Sequence, residues 1–440
     1  MLKKKKALLS VGSIALSSMI AVSGCGSATS ANNSSDATAA NSKGPIQLSL
    51  WQVNGSPDEN KVIKDEIAAF NKANSGKIQV NLQFLPRGGN DTFFEDKVTA
   101  ALNSGTLPDL VSMDGPMVAP YAANKIIRPI DQYVTPQLKS EFLPSIINQG
   151  TYQGHLYTLG QTESDVLVYY NKKMFDEVGL KAPQAVSQAW TWQQFEDAGK
   201  KLKKVSQWPI DFFVTTNGGV NEWLTYMGTV FTWSNGGDII SPDGKTVQGY
   251  LNGSKTIQSL QYIQNLFNEK LATVADSPDD FAKGRSAIAV DGDWFAETLK
   301  QYPNLQWGMM PLPYSKTHVS PSGNWCWGIT TQSKHPQATF KLLEWLTNDT
   351  NVLSMVKADN QPPAKKAVYK DLPMYKTYPY KVIYDQLFQD AHPRPITPAY
   401  IALSHAYAEA FDAAASGKDF KTVLNQGVQT VDHELQRFQH

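Results

Sequence analysis

Flat indoles and a few isolated carboxylates are the side chains of this 440-residue sequence best suited to chemistry; there are eleven Trp. Trp51 closes a short apolar strand, Trp233 precedes a turn at Gly236-Gly237, Trp294 follows Asp291-Gly-Asp293, and Trp325 lies in Gly323-Asn-Trp-Cys-Trp-Gly328. Asp114 stands where a strand gives way to Gly115-Pro116, and Glu163 lies in a polar gap between two apolar runs. Aromatic faces cover the C–H surface of a sugar ring, and carboxylates accept its hydroxyl protons, so this set suits a carbohydrate ligand. Tyr314 and Arg394 complete the candidates, although Arg394 could instead pin the loop around Pro393 and Pro395. Local alternatives stand beside each: Trp51 half-packed on its own domain, Asp114 capping the turn at Gly115, Trp325 and Trp327 filling a core.

Other chemistries lack their signatures. The sequence has no G-x-x-x-x-G-K-[ST], no His-Glu-x-x-His and no G-x-S-x-G, and its seven His are scattered. No cofactor and no metal are expected. Asp291 and Asp293 could accept ligand hydroxyls, belong to a calcium remnant or cap a turn, and the EF-hand spacing is absent. A catalytic carboxylate pair would also line an aromatic cleft, so a secreted glycoside hydrolase is the alternative.

The elements that must position these residues are organised around Leu156 to Tyr170. Tyr157 to Leu159 and Val166 to Tyr170 are apolar, β-branched and aromatic, and predict buried strands. Gln161 to Asp165 between them are polar without a reversing turn pair, as expected of a strand leaving one core for a second. A wide hairpin loop in one sheet is the competing reading. In the two-core reading, Glu163 stands at the mouth of a cleft between lobes.

Upstream, Ile46, Leu48 and Leu50 predict a strand, and Ser56-Pro-Asp-Glu59 predicts a capped helix with Ile63, Ile67 and Phe70 inward. Ile78 to Phe84 alternates as a strand, Phe94 to Leu102 is helical, and Asp109 to Met113 is a third strand. This β-α-β-α-β order predicts a parallel sheet with ligand residues beyond its carboxyl ends. Downstream, Asn171 and Thr191 cap further helices, and Phe420, Leu424, Val428, Val431, Leu435 and Phe438 form one helical stripe, docked on its own lobe or on a coiled-coil partner.

The N-terminus is a targeting segment. Lys3 to Lys6 precede the apolar run Ala7 to Val22, too short to span a bilayer comfortably. Residues 26–44 are Ser, Ala, Asn and Thr without periodicity and predict a tether. Residues 1–24 hold four lysines and no acid, so their removal takes the formal charge from 0 to −4. A mildly acidic body argues against nucleic acid as a partner.

Val22-Ser-Gly-Cys25 resembles a bacterial lipobox, which implies lipidation at Cys25 and anchoring to the outer face of the cell membrane. The tether, AAFNKANSGKIQVNLQF, KVTAALNSGTLPDLVSMDG, Glu163, Tyr170-Asn-Lys172 and Phe281-Ala-Lys-Gly284 follow in an order that resembles the family 1 extracellular solute-binding proteins. These are the sugar receptors of ABC importers, and the resemblance of the segment from Phe281 implies that Trp294 lies on the sugar face. The resemblance implies an α/β, two-lobed, periplasmic-binding-protein-like fold whose lobes are sheets flanked by helices. It also implies a monomer that passes a carbohydrate to a permease. Lobe boundaries are expected at 45–162 with 308–348 for the N-terminal lobe, and 163–307 with 349–440 for the C-terminal lobe. The chain would cross between them near 162–165, 305–309 and 348–352.

Overall fold

The computed structural model describes residues 44–87, 93–215 and 219–438. The targeting segment, Cys25 and all but the end of the tether lie outside the described residues. In chain order the strands are β1 (Ile46–Val53), β2 (Ile78–Leu85), β3 (Leu110–Asp114), the short hairpin β4 (Thr151–Tyr152) and β5 (His155–Leu156), and β6 (Thr158–Gly160). They continue as β7 (Ser164–Asn171), β8 (Trp208–Asp211), β9 (Ser286–Gly292), β10 (Trp307–Met310), β11 (Ser320–Gly323), β12 (Trp325–Ile329) and β13 (Ala391–Pro393).

Two main sheets result. The first has the order β2-β1-β3-β12-β6, the second β13-β11-β7-β9-β8 with β10 also paired to β7. β1 runs parallel to β2 and β3, as the β-α-β order requires, while β12 is antiparallel to both of its neighbours. The crossover helix Pro57–Ala73 starts on a complete capping box between Ser56 and Glu59 and buries Ile63, Ile67 and Phe70. Asn171 and Thr191 cap the helices Lys172–Glu177 and Trp192–Leu202.

The stretch from Leu156 to Tyr170 is a crossing. β6 belongs to the first sheet and β7 to the second, with Gln161, Thr162 and Glu163 between them. β7 is buried along its whole length. Val166, Val168 and Tyr170 face the core of the second lobe, and Leu167 and Tyr169 face a core continuous with the first. Strict alternation thus gives one strand two apolar faces.

The other two crossings lie later in the chain than expected. Residues 307–310 do not return to the first lobe; β10 pairs antiparallel with β7, placing Met310 opposite Val168. The return comes at Asn324, between β11 in the second sheet and β12 in the first. β11 reads Ser-Pro-Ser-Gly, without the β-branched and aromatic residues that announce a strand. The helix Asp349–Asp359, expected in the second lobe, packs on Pro57–Ala73 in the first. The third crossing passes through Gln361-Pro-Pro363, where the amide of Glu163 donates to the Pro362 carbonyl at 2.8 Å and that of Ala364 to the Gln161 carbonyl at 2.9 Å.

The C-terminal helix Phe420–Gln436 docks on its own lobe, burying Phe420, Leu424, Val428, Val431 and Leu435 against the helix Tyr400–Ala415. No helix among the described residues is long and apolar enough to cross a membrane.

Candidate functional site

Where β3 ends and the second crossing begins, charged and aromatic groups from both lobes meet. Asp114 is the last residue of β3 and pairs in register with Trp325, the first residue of β12. Arg394 follows β13, in the second lobe. Its Nη2 donates to Asp114 Oδ1 at 2.6 Å and its Nη1 to Asp114 Oδ2 at 2.8 Å, a two-pronged contact. Nη1 also donates to Glu222 Oε1 at 2.6 Å. Glu222 opens the helix Glu222–Ser234 and accepts from the Tyr400 and Ser404 hydroxyls, each at 2.5 Å.

The guanidinium is buried, and its carbon lies 4.5 Å from the centre of the Tyr226 ring. It reaches this seat because residue 323 is glycine: a Cβ there would stand 2.7 Å from Arg394 Nη2. Burial opposes the charge on Glu222 and raises its pKa; Arg394 pulls the other way, and Asp114 adds to the rise. Two carboxylates thus share one guanidinium.

Beside this cluster lies an aromatic wall. The Trp294 ring stacks at 21° on Tyr226, with centroids 6.4 Å apart, and meets Trp223 edge-on at 6.1 Å. Glycine is again the enabling residue. A Cβ on Gly292 would lie 2.3 Å from the Trp294 ring, so the indole folds back over bare backbone. Tyr226 shares a 2.9 Å hydrogen bond with Ser164, whose hydroxyl donates to the Gly323 carbonyl at 2.6 Å. The wall is therefore tied to the first two crossings at once.

The structure brings Asp114, Trp294 and Arg394 into this neighbourhood, and Trp325 borders it through its register with Asp114. Trp325 is half-buried, with the Arg87 guanidinium 4.6 Å from its ring centre. Trp51 is half-buried in the first lobe, with Lys97 Nζ 5.0 Å from its ring centre.

Two candidates, Glu163 and Trp233, are placed differently from the expectation. Glu163 is not at a cleft mouth: it is fully buried inside the first crossing, and Gln149 Nε2 bonds its two oxygens at 3.0 and 3.3 Å. The third crossing covers it, which its own neighbours in sequence do not reveal. Burial pushes its carboxyl up to about 7. Trp233 is buried because its helix is enclosed nearly all round; its ring stacks on His392 at 4.2 Å, and Nε1 donates to Asp238. Tyr314 packs on His318 at 3.9 Å, beside the bridge to Thr191.

Asp291 accepts the Gly292 amide at 2.7 Å and a further bond from Trp294, as a turn carboxylate would. Asp293 is fully buried, and its amide donates to the Asp165 carbonyl at 3.0 Å. No group of three or more His, Cys, Asp or Glu among the described residues could hold a metal ion.

Sequence reasoning missed Glu222, Trp223 and Tyr226. The available signal was Asn221 as a cap followed by an acid and two aromatics three apart, which share one helix face.

Residues 54–352 match the family model described as bacterial extracellular solute-binding protein. The chain belongs to that family. Members of it are binding proteins, and this solute-binding protein is not an enzyme; the glycoside hydrolase alternative falls with that assignment. The chain is 24% identical over 318 residues to the maltotriose-binding protein of Pyrococcus abyssi, covering 69% of this chain and 65% of that one. It is 22% identical over 351 residues to the multiple sugar-binding protein of Streptococcus mutans, covering 76% and 77%. Among solved structures, the cyclic α-maltosyl-1,6-maltose binding protein of Arthrobacter globiformis superposes with a TM-score of 0.75 at 22% identity, over 90% of this chain and all of that one. The sugar-binding protein of Xanthomonas citri gives 0.73 at 18% identity, over 89% and 98%. The two-lobed α/β fold of this solute-binding protein is thus a shared one.

Proposed function

We propose that the protein is a lipid-anchored receptor on the outer face of a bacterial membrane. It binds a mono- or oligosaccharide between its lobes and delivers it to an ABC permease. The observation that carries this reading is the junction of an aromatic wall, Trp294 with Tyr226 and Trp223, with the Asp114 carboxylate from the other lobe. Sugar rings offer apolar faces and hydroxyl edges, and this junction offers a partner for each. The side chain of Asp114 keeps 21% of its surface exposed beside Arg394, which leaves lone pairs for a hydroxyl. Trp325 and Trp51 extend the candidate surface along the first lobe. The relatives named for maltotriose and for multiple sugars support the ligand class. The lipobox at Cys25 supports the anchor.

The test is a titration of the protein with a panel of malto-oligosaccharides and other sugars, read by tryptophan fluorescence and calorimetry. A saturable response is expected with at least one of them, and mass spectrometry should show that sugar unchanged after hours. Absence of any response, or steady hydrolysis, would overturn the reading.

A further inference from the structure

The contact between Arg394 and Asp114 has a property that sugar binding does not require: it joins the two lobes directly, side chain to side chain. Asp114 belongs to β3 in the first sheet, whereas Arg394 follows β13 in the second. Glu222, the other partner of Arg394, is on the side of the second lobe. We propose that Arg394 and Asp114 form an interlobe latch that biases the ligand-free receptor towards closure, with Arg394 as the positioning residue.

The argument rests on how differently the two partners are held. On its own lobe, Arg394 is seated independently of Asp114. Glu222 accepts from Nη1 at 2.6 Å and is itself held by Tyr400 and Ser404, Tyr226 lies against the guanidinium at 4.5 Å, and Gly323 leaves room for Nη2. The guanidinium is therefore already aimed when the lobes meet, and little side-chain entropy is lost on docking. Opening would break only the two bonds to Asp114, and Arg394 with Glu222 would remain a one-to-one ion pair. Water can replace Arg394 at Asp114, whose side chain is 21% exposed, more readily than it can reach Arg394, 5% exposed. The pair thus has two discrete arrangements, made and hydrated, which is what a two-state element needs. Its strength is bounded by the dehydration it requires, so it biases closure without locking it.

A consequence for ligand affinity follows. If only the closed form completes the site, the apparent affinity scales with the fraction closed before binding. Loss of the latch should then weaken sugar binding even for a ligand that touches neither residue.

The test uses the ligand-free protein, so its outcome is separate from whether the ligand is a sugar. Small-angle scattering is recorded for wild type, Asp114→Asn, Arg394→Met, Arg394→Lys and the Asp114→Asn/Arg394→Met double variant. Asp114→Asn is the decisive variant because it leaves Arg394 with Glu222 in place. It should raise the radius of gyration while leaving the melting temperature unchanged. Arg394→Met should open the molecule to the same extent, and the double variant no further, because one interaction has been removed in each. Arg394→Lys should restore part of the closure, since a single ammonium cannot make the two-pronged contact. The open-to-closed ratio is expected to change by about tenfold or more, the low end of what paired substitutions give for close charge pairs. An unchanged radius of gyration in Asp114→Asn would overturn the latch. So would opening in Arg394→Met alone together with a lowered melting temperature, since that pattern assigns Arg394 to holding its own loop.

Discussion

Trp294 shows how a residue's role is set by the backbone beneath it. Its indole lies over Gly292 and against Tyr226 and Trp223, half-buried and half-available. In the proposed site, Trp294→Ala would remove a stacking face for ligand, worth about 0.5–1.5 kcal/mol beyond its buried area. Binding of the best sugar should weaken by about tenfold or more, measured by calorimetry. Because the ring also packs on its neighbours, the ligand-free variant should lose about 1–2 kcal/mol of stability in denaturant unfolding, short of the cost of a full core cavity. Unfolding of the variant would make Trp294 a core residue; unaltered affinity would remove it from the site. Trp233 is the contrast: it also lies near glycine, before the turn at Gly236-Gly237, yet its ring is committed to His392 and its N–H to Asp238.

At the scale of elements, the first crossing carries a buried carboxylate. Glu163, enclosed between the first and third crossings, has its carboxyl pushed up by burial from the ordinary glutamate value of 4.5 to about 7. The folded state therefore holds this proton more tightly than the unfolded chain. The contribution to stability is complete below about 4.5 and is lost as pH rises through about 7. Between pH 5 and 8 this group alone should cost on the order of 1–3 kcal/mol. Glu66 and Asp211, each pushed up to about 8 by burial, act in the same direction. Glu163→Gln keeps an acceptor for Gln149 and abolishes the titration, so its unfolding free energy should vary less with pH than that of the wild type. Parallel pH profiles of the two proteins would show that Glu163 stays ionised in the folded state.

For the whole molecule, two lobes joined by three adjacent crossings should move about those crossings as rigid bodies. A ligand shifts closure only by its differential affinity for the two forms, so the radius of gyration should fall on saturation with the sugar that binds. A value that never falls would count against closure about these crossings. Anchoring is tested separately. Two or more acyl chains hold a protein at a membrane where one does not, each buried CH₂ contributing about 0.8 kcal/mol. Cys25→Ser in a bacterial host should move the protein from the membrane fraction to the soluble one and abolish labelling by fatty acid. Retained label would place the lipid elsewhere.

Local signals were enough wherever neighbours in sequence are also neighbours in space. The capping boxes at Ser56 and Thr191, the parallel β1, β2 and β3, the first crossing at residues 161–163 and the inward stripe of the last helix all follow from periodicity and short-range hydrogen bonding. Partners distant in sequence were not legible there. β10 could have joined either sheet, and only its pairing with β7 decides which; β11, made of Ser, Pro and Gly, is a strand because β7 and β13 flank it. Asp114 and Arg394 each stood out as candidates, but 280 positions separate them, and their bond exists only because β3 and β13 end at the same crossing. Burial reversed the expectation for Glu163 for the same reason: a residue's exposure is fixed by the segments that pack over it, and here that segment is Gln361-Pro-Pro363, some two hundred residues on.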